Sequence, residues 1–113
     1  MTTTFKEIAM NFQEIYTEAL SASIVASNEF IAEHGEMAYC GFAWAEIPNG
    51  RSPFVNWCRK NGIGSKHWRK GWQIWNPCGH PTQSMDVKEA GTDAFVAVLR
   101  KHGIDAWACS RAD

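Results

Sequence analysis

The segment from Ile47 to Met85 contains no aspartate and no glutamate. The rest of the chain is short of other things. It has no apolar run long enough to cross a membrane, so no spanning segment is expected. The N-terminal MTTTFKEIAM lacks a basic n-region and an apolar h-region, which argues against a signal peptide. A cytoplasmic location follows as an expectation, and there thiols stay reduced. The four cysteines, Cys40, Cys58, Cys78 and Cys109, therefore do not imply disulfides. They also lack the paired C-x₂₋₄-C spacing of structural zinc, although Cys58, Cys78, His80, Cys109, Cys40 and His67 could in principle supply ligands. No metal and no cofactor is expected. Gly62-Ile63-Gly64-Ser65-Lys66 resembles a P-loop at a glance, but its serine and lysine are in the wrong order. No paired acids and no triad order stand out, so no reaction is indicated and the chain is expected not to be an enzyme. A thiol nucleophile at Cys78, with His80 or His67 as base, has only proximity in sequence behind it. There are no repeats, no low-complexity tract and no internal linker, so residues 1–113 read as a single domain.

What is present is a balanced composition, 45% hydrophobic and 20% charged, with six tryptophans. The net charge of −1 hides a segregation: residues 1–46 carry −6, residues 47–85 carry +6 and residues 86–113 carry −1. Either the acidic and basic parts neutralise each other, within or between subunits, or the basic part meets an anion.

Hydrophobic periodicity predicts a long helix over 4–34. Thr4 to Glu7 forms its capping box, and Phe5, Ile8, Phe12, Ile15, Ala19 and Ala22 make one apolar stripe. Gly35 is its stop. A helix that long suits pairing with a second subunit, so a homo-oligomer through the N-terminal helix is expected. Residues 38–47 alternate as a strand, with Cys40, Phe42 and Trp44 on one face and Ala43, Ala45 and Ile47 on the other. Ser52-Pro53 opens a short helix that Asn61-Gly62 ends. Residues 61–70 read as loop, 72–75 as a strand, 85–102 as a helix capped by Ser84, and 104–109 as a short strand. Gly91 inside the last helix implies a close neighbour. His34 and His102 sit at helix C-terminal ends, where histidine compensates the dipole. The expected fold is α+β: a small three-stranded sheet with helices on one face, in the order α-β-α-β-α-β.

The functional signal lies in RKNGIGSKHWRKGWQIW, residues 59–75. Arg59, Lys60, Lys66, Arg69 and Lys70, with His67, can neutralise phosphate, while Trp68, Trp72 and Trp75 can stack a base. The same tryptophans, at i, i+4 and i+7, would equally suit a core with the cations as its solvated rim. Arg111 could clamp a phosphate or carboxylate; a structural pair with Asp113 or Glu46 is the favoured reading.

With CGFAW at 40–44, SMDVKEAG at 84–91 and SRAD at 110–113, the chain resembles a group of small bacteriophage proteins of no known activity. The similarity covers most of the chain after residue 38. It implies a phage-encoded accessory protein in the host cytoplasm, of the kind that counters host defence. The leading expectation is an anti-defence protein that sequesters a small anionic ligand, a nucleotide second messenger, at Arg59, Lys60, Lys66, His67, Trp68, Arg69, Lys70, Trp72, Trp75 and Arg111. The alternatives are direct inhibition of a host defence protein and nucleic-acid binding.

Overall fold

A computed structural model describes residues 11–36, 40–67, 69–82 and 84–113. Within them the order is α1 (Phe12–His34), β1 (Gly41–Ile47), α2 (Pro53–Lys60), β2 (Ser65–Lys66), β3 (Trp72–Trp75), α3 (Met85–Lys101) and β4 (Trp107–Ala112). The sheet has four strands, not three, and its order is β2-β3-β1-β4 with every pair antiparallel. The expected α-β-α-β-α-β order is thus corrected to α-β-α-β-β-α-β. The added strand lies in the stretch read as loop. Ser65 and Lys66 pair with Gln73 and Trp72, and the His67 N–H closes the hairpin on the Gly71 carbonyl at 3.1 Å. Two residues are too few to show a period of two, so β2 leaves no pattern to read.

The last strand is shifted as well. It runs from Trp107 to Ala112 rather than over 104–109, because Gly41 to Glu46 of β1 offers backbone partners to Ala112 through Trp107. The capping box at Thr4–Glu7 lies outside the described residues. Of the helix expected over 4–34, the described part starts at Phe12: Asn11 is extended, and its side chain accepts from the Glu14 N–H at 2.8 Å and caps α1 there.

Alternation along β1 sorts the sheet into two faces. Ala43, Ala45 and Ile47 are buried, and Ala45 and Ile47, with Trp72 and Ile74 of β3, share one core with Phe54, Val55 and Cys58 of α2 and Phe95, Val96 and Leu99 of α3. Small alanines on the central strand let α3 approach closely. A third layer follows, since α1 packs on the far side of α3. Tyr16 meets Phe95 edge-on at 6.0 Å, and Phe12 meets Phe54 at 5.4 Å. The fully buried residues of α1 are Ile15, Ala19, Ser23 and Ser27, and the expected Ala22 packs half-buried against the core beside them.

The close neighbour demanded by Gly91 is found there. The Ser23 hydroxyl donates to the Gly91 carbonyl at 2.7 Å, and a Cβ at Gly91 would lie 2.7 Å from the Cys78 Cβ. At the other end Glu18 of α1 accepts from Lys101 and bonds His102 at 2.8 Å. These two contacts hold its carboxyl below the ordinary range. No described helix is long and apolar enough to cross a membrane.

Candidate functional site

The β1–α2 turn, the end of α2 and the β2–β3 hairpin meet at one end of the sheet. Asn49 shapes the turn: its side chain accepts from the Arg51 N–H at 2.9 Å, and its carbonyl accepts from the Ser52 N–H at 3.2 Å. Ser52 then caps α2 by accepting from the Val55 N–H at 3.2 Å, with Pro53 in the first turn. That sets Arg59 in the last turn, pointing back at the start. Its guanidinium donates to Asn56 Oδ1 at 3.0 Å and to the Gly50 carbonyl at 3.3 Å, and lies 4.7 Å from the Trp72 ring centroid.

From the opposite side comes the hairpin. Gly71 has φ +93°, and a Cβ there would sit 2.5 Å from the Ile47 carbonyl oxygen, so only glycine lets the two turns close on each other.

The result is an open cleft of about 690 Å³ lined by Pro48, Asn49, Gly50, Arg51, Arg59, Lys66, Lys70, Gly71 and Asp105. Four cations and one acid face it. Among the described residues none of Arg51, Arg59, Lys66 and Lys70 is ion-paired. A smaller hollow of about 350 Å³, lined by Glu46, Pro48, His67, Arg69 and Lys70, shares Pro48 and Lys70 with the cleft. It leads onto the sheet face that α2 and α3 leave uncovered.

That face is aromatic. Trp44 and Trp75 are cross-strand partners and stack with centroids 4.5 Å apart and planes 27° apart. Phe42 meets Trp75 edge-on at 6.0 Å. Trp75 remains 41% exposed and Phe42 36%. Glu46 ties this face to the hollow: its Oε1 accepts from Trp44 Nε1 at 3.2 Å, faces Cys109 Sγ at 3.7 Å and lies 3.5 Å from His67 Nε2. Burial and the Glu46 charge push the Cys109 thiol pKa up.

The residues expected at the site divide into groups. Arg59, Lys66 and Lys70 line the cleft, while His67 and Arg69 line the hollow beside it. Lys60 is exposed at the end of α2 and lines neither. Trp68 lies outside the described residues. Trp72 is buried, with one face under Arg59 and its Nε1 donating to the Ile63 carbonyl at 2.9 Å. It therefore belongs to the core and has no ring face turned to a ligand. Trp75 stands on the open face. Arg111 makes no ion pair with Asp113 or Glu46; it lies 5.7 Å from the Phe42 ring centroid, directly across from Phe42 in the β1–β4 register.

Three residues of the site escaped the sequence reading: Arg51, Phe42 and Trp44. The alternation on β1 had already put Phe42 and Trp44 on one face, and Arg51 directly follows the Pro48-Asn49-Gly50 turn. Each signal was present but pointed only to a local structure.

Among the described residues no group of three or more His, Cys, Asp and Glu could hold a metal ion. Burial pushes the Cys58 thiol up to about 12. The Cys78 thiol donates to Asn76 Oδ1 at 3.2 Å, while His80 Nδ1 is buried without a partner, so the two are not joined as nucleophile and base.

Comparison with family models, with curated proteins and with solved structures finds no match to this chain.

Proposed function

We propose that this chain is a non-enzymatic binding protein that captures a phosphate-bearing small ligand, a nucleotide, in the cleft between the β1–α2 turn and the β2–β3 hairpin. The observation that carries the reading is the gathering of Arg51, Arg59, Lys66 and Lys70 around one open cleft without ion-pair partners. Four like charges held together raise the energy of the empty site. An anion relieves that repulsion and adds charge-assisted hydrogen bonds. Arg59 is held in place by Asn56, Gly50 and Trp72, so little side-chain entropy is lost when it binds.

In the setting implied by the resemblance to phage proteins, the reading extends to sequestration of a nucleotide signal in the host cytoplasm. The test is thermal unfolding with mononucleotides, cyclic nucleotides and pyrophosphate. A ligand at a hundred times its Kd stabilises by about 2.7 kcal/mol. For a domain of this size that is roughly a 10 °C rise in Tm. If none of these anions at millimolar concentration moves Tm, the reading fails.

The aromatic face gives inhibition of a host protein its own support. Phe42, Trp75 and Trp107 are large, apolar and exposed, the composition of interface hot spots. That reading predicts capture of a host protein that is lost in Trp75→Ala and kept when the cleft cations are removed.

A further inference from the structure

The cleft and the aromatic face meet at the hollow, which shares Pro48 and Lys70 with the cleft and Glu46 with the face, so a basic end adjoins an aromatic one. At the hairpin end stand Arg51, Arg59, Lys66 and Lys70, with Arg69 and His67 lining the hollow that joins cleft to face. Along β1 come the Trp44–Trp75 stack and then Phe42. At the far end Arg111 lies 5.7 Å from the Phe42 centroid; Lys88 of α3 lies 5.5 Å from it but is buried, its Nζ donating to the Gly41 carbonyl at 2.8 Å, and it takes no part in the track. Glu46 stands within the face, engaged by Trp44 and facing His67. Asp105 lines the cleft, and Asp113 ends the chain beyond Arg111.

We infer that this surface is a track for single-stranded nucleic acid, with phosphates at the cleft and at Arg111 and bases stacked on Trp75 and Phe42 between them. The inference rests on the cleft being an anion site and names the ligand class it would take. Alternating aromatic planes and cations are what a single strand needs, because every base has a π-face and every linkage a charge. A mononucleotide could engage only one end. The span along β1 from Ile47, beside the cleft, to Phe42 is five residues, or about 17 Å at strand rise. That matches about five stacked nucleotides. The uncovered sheet face also explains why Trp75 and Phe42 stand in solvent while Trp72, three residues away on β3, is buried under Arg59.

The experiment is calorimetric titration of the full chain with oligodeoxythymidylates of two to eight nucleotides, and with tripolyphosphate as the anion without bases. Affinity is expected to climb to about five nucleotides and then level off. The slope of log K against log salt is expected near about −3.5, from the four cleft cations and Arg111 each releasing counterions on a single strand. Trp75→Leu, which keeps an apolar side chain on the strand, is expected to weaken the five-nucleotide ligand by roughly five- to 150-fold. The same variant should leave tripolyphosphate binding unchanged. If tripolyphosphate binds but the oligonucleotides bind no tighter and show no length dependence, the track is overturned and the cleft reading stands. Equal weakening of both ligands by Trp75→Leu overturns the track too, since it would report a structural effect. If neither ligand binds, both readings fail.

Discussion

Replacing Gly71 by alanine probes the packing that makes the cleft. At φ +93° an L side chain is strained, at a cost of about 1–2 kcal/mol. Alanine also restricts the unfolded chain, which returns about 0.4–1 kcal/mol. The added Cβ would then lie 2.5 Å from the Ile47 carbonyl oxygen, 2.9 Å from the Pro48 carbonyl oxygen and 3.1 Å from the Pro48 Cα. These are backbone atoms and cannot rotate away, so a further 1–3 kcal/mol, roughly, is expected from overpacking. The net loss should be about 3 kcal/mol. Gly62 serves as the control, because it has φ +70° in the same segment and nothing within 4 Å of its would-be Cβ. Gly62→Ala should cost only about 1 kcal/mol, the strain less the entropy return. Urea unfolding of both variants beside the parent, read at constant m, measures the difference. Gly71→Ala should also weaken pyrophosphate binding, because the hairpin bearing Lys66 and Lys70 must move off the β1–α2 turn. If the two variants lose the same stability, the close approach of hairpin and turn is refuted.

Lys66→Ala/Lys70→Ala should bind pyrophosphate at least tenfold more weakly and unfold no more easily than the parent, since both side chains are exposed and removing them relieves repulsion; calorimetry and urea unfolding check the two halves. Ser23→Ala should cost about 1 kcal/mol in urea unfolding, because it removes the buried hydrogen bond that ties α1 to α3 at Gly91. Cys58 links stability to alkaline pH. Its thiol titrates near 12 folded against an ordinary 9, so between those values the unfolded chain binds fewer protons and stability falls as pH rises. The slope from this one thiol is about 1.4 kcal/mol per pH unit, and it should vanish in Cys58→Ala; parallel pH profiles for parent and variant would contradict the burial of Cys58. Glu18 acts at the acid end: its carboxyl is held low by Lys101 and His102, so stability is lost as pH falls through its folded pKa, below the ordinary 4.5. Glu18→Gln should flatten that limb.

Local chemistry made several elements legible in advance. Ser52 and Ser84 cap their helices through their own hydroxyls, a reading that needs only the residues just after them. Gly35 ends α1 with φ +76°, as a glycine after an apolar stripe should. The two faces of β1 follow from a period of two. What failed was whatever depended on pairing across the chain. β2 exists because β3 offers it partners, and β4 ends where β1 begins. Neither boundary is marked in composition.

The candidate site divides along the same line. The acid-free run from Ile47 to Met85 announces an excess of positive charge, and sequence alone determined that an anion or an acidic partner had to be considered. Tertiary structure decided the rest. It brought Arg51 from the turn before α2 beside Lys66 and Lys70 of the hairpin. It buried Trp72 and exposed Trp75, although the two are equally apolar and three residues apart, because a strand sends them to opposite faces and only one face is covered by helices. Charge excess is a sum over residues and can be read from a string of letters. Which side of a sheet meets water depends on where distant helices pack, and only the folded chain settles that.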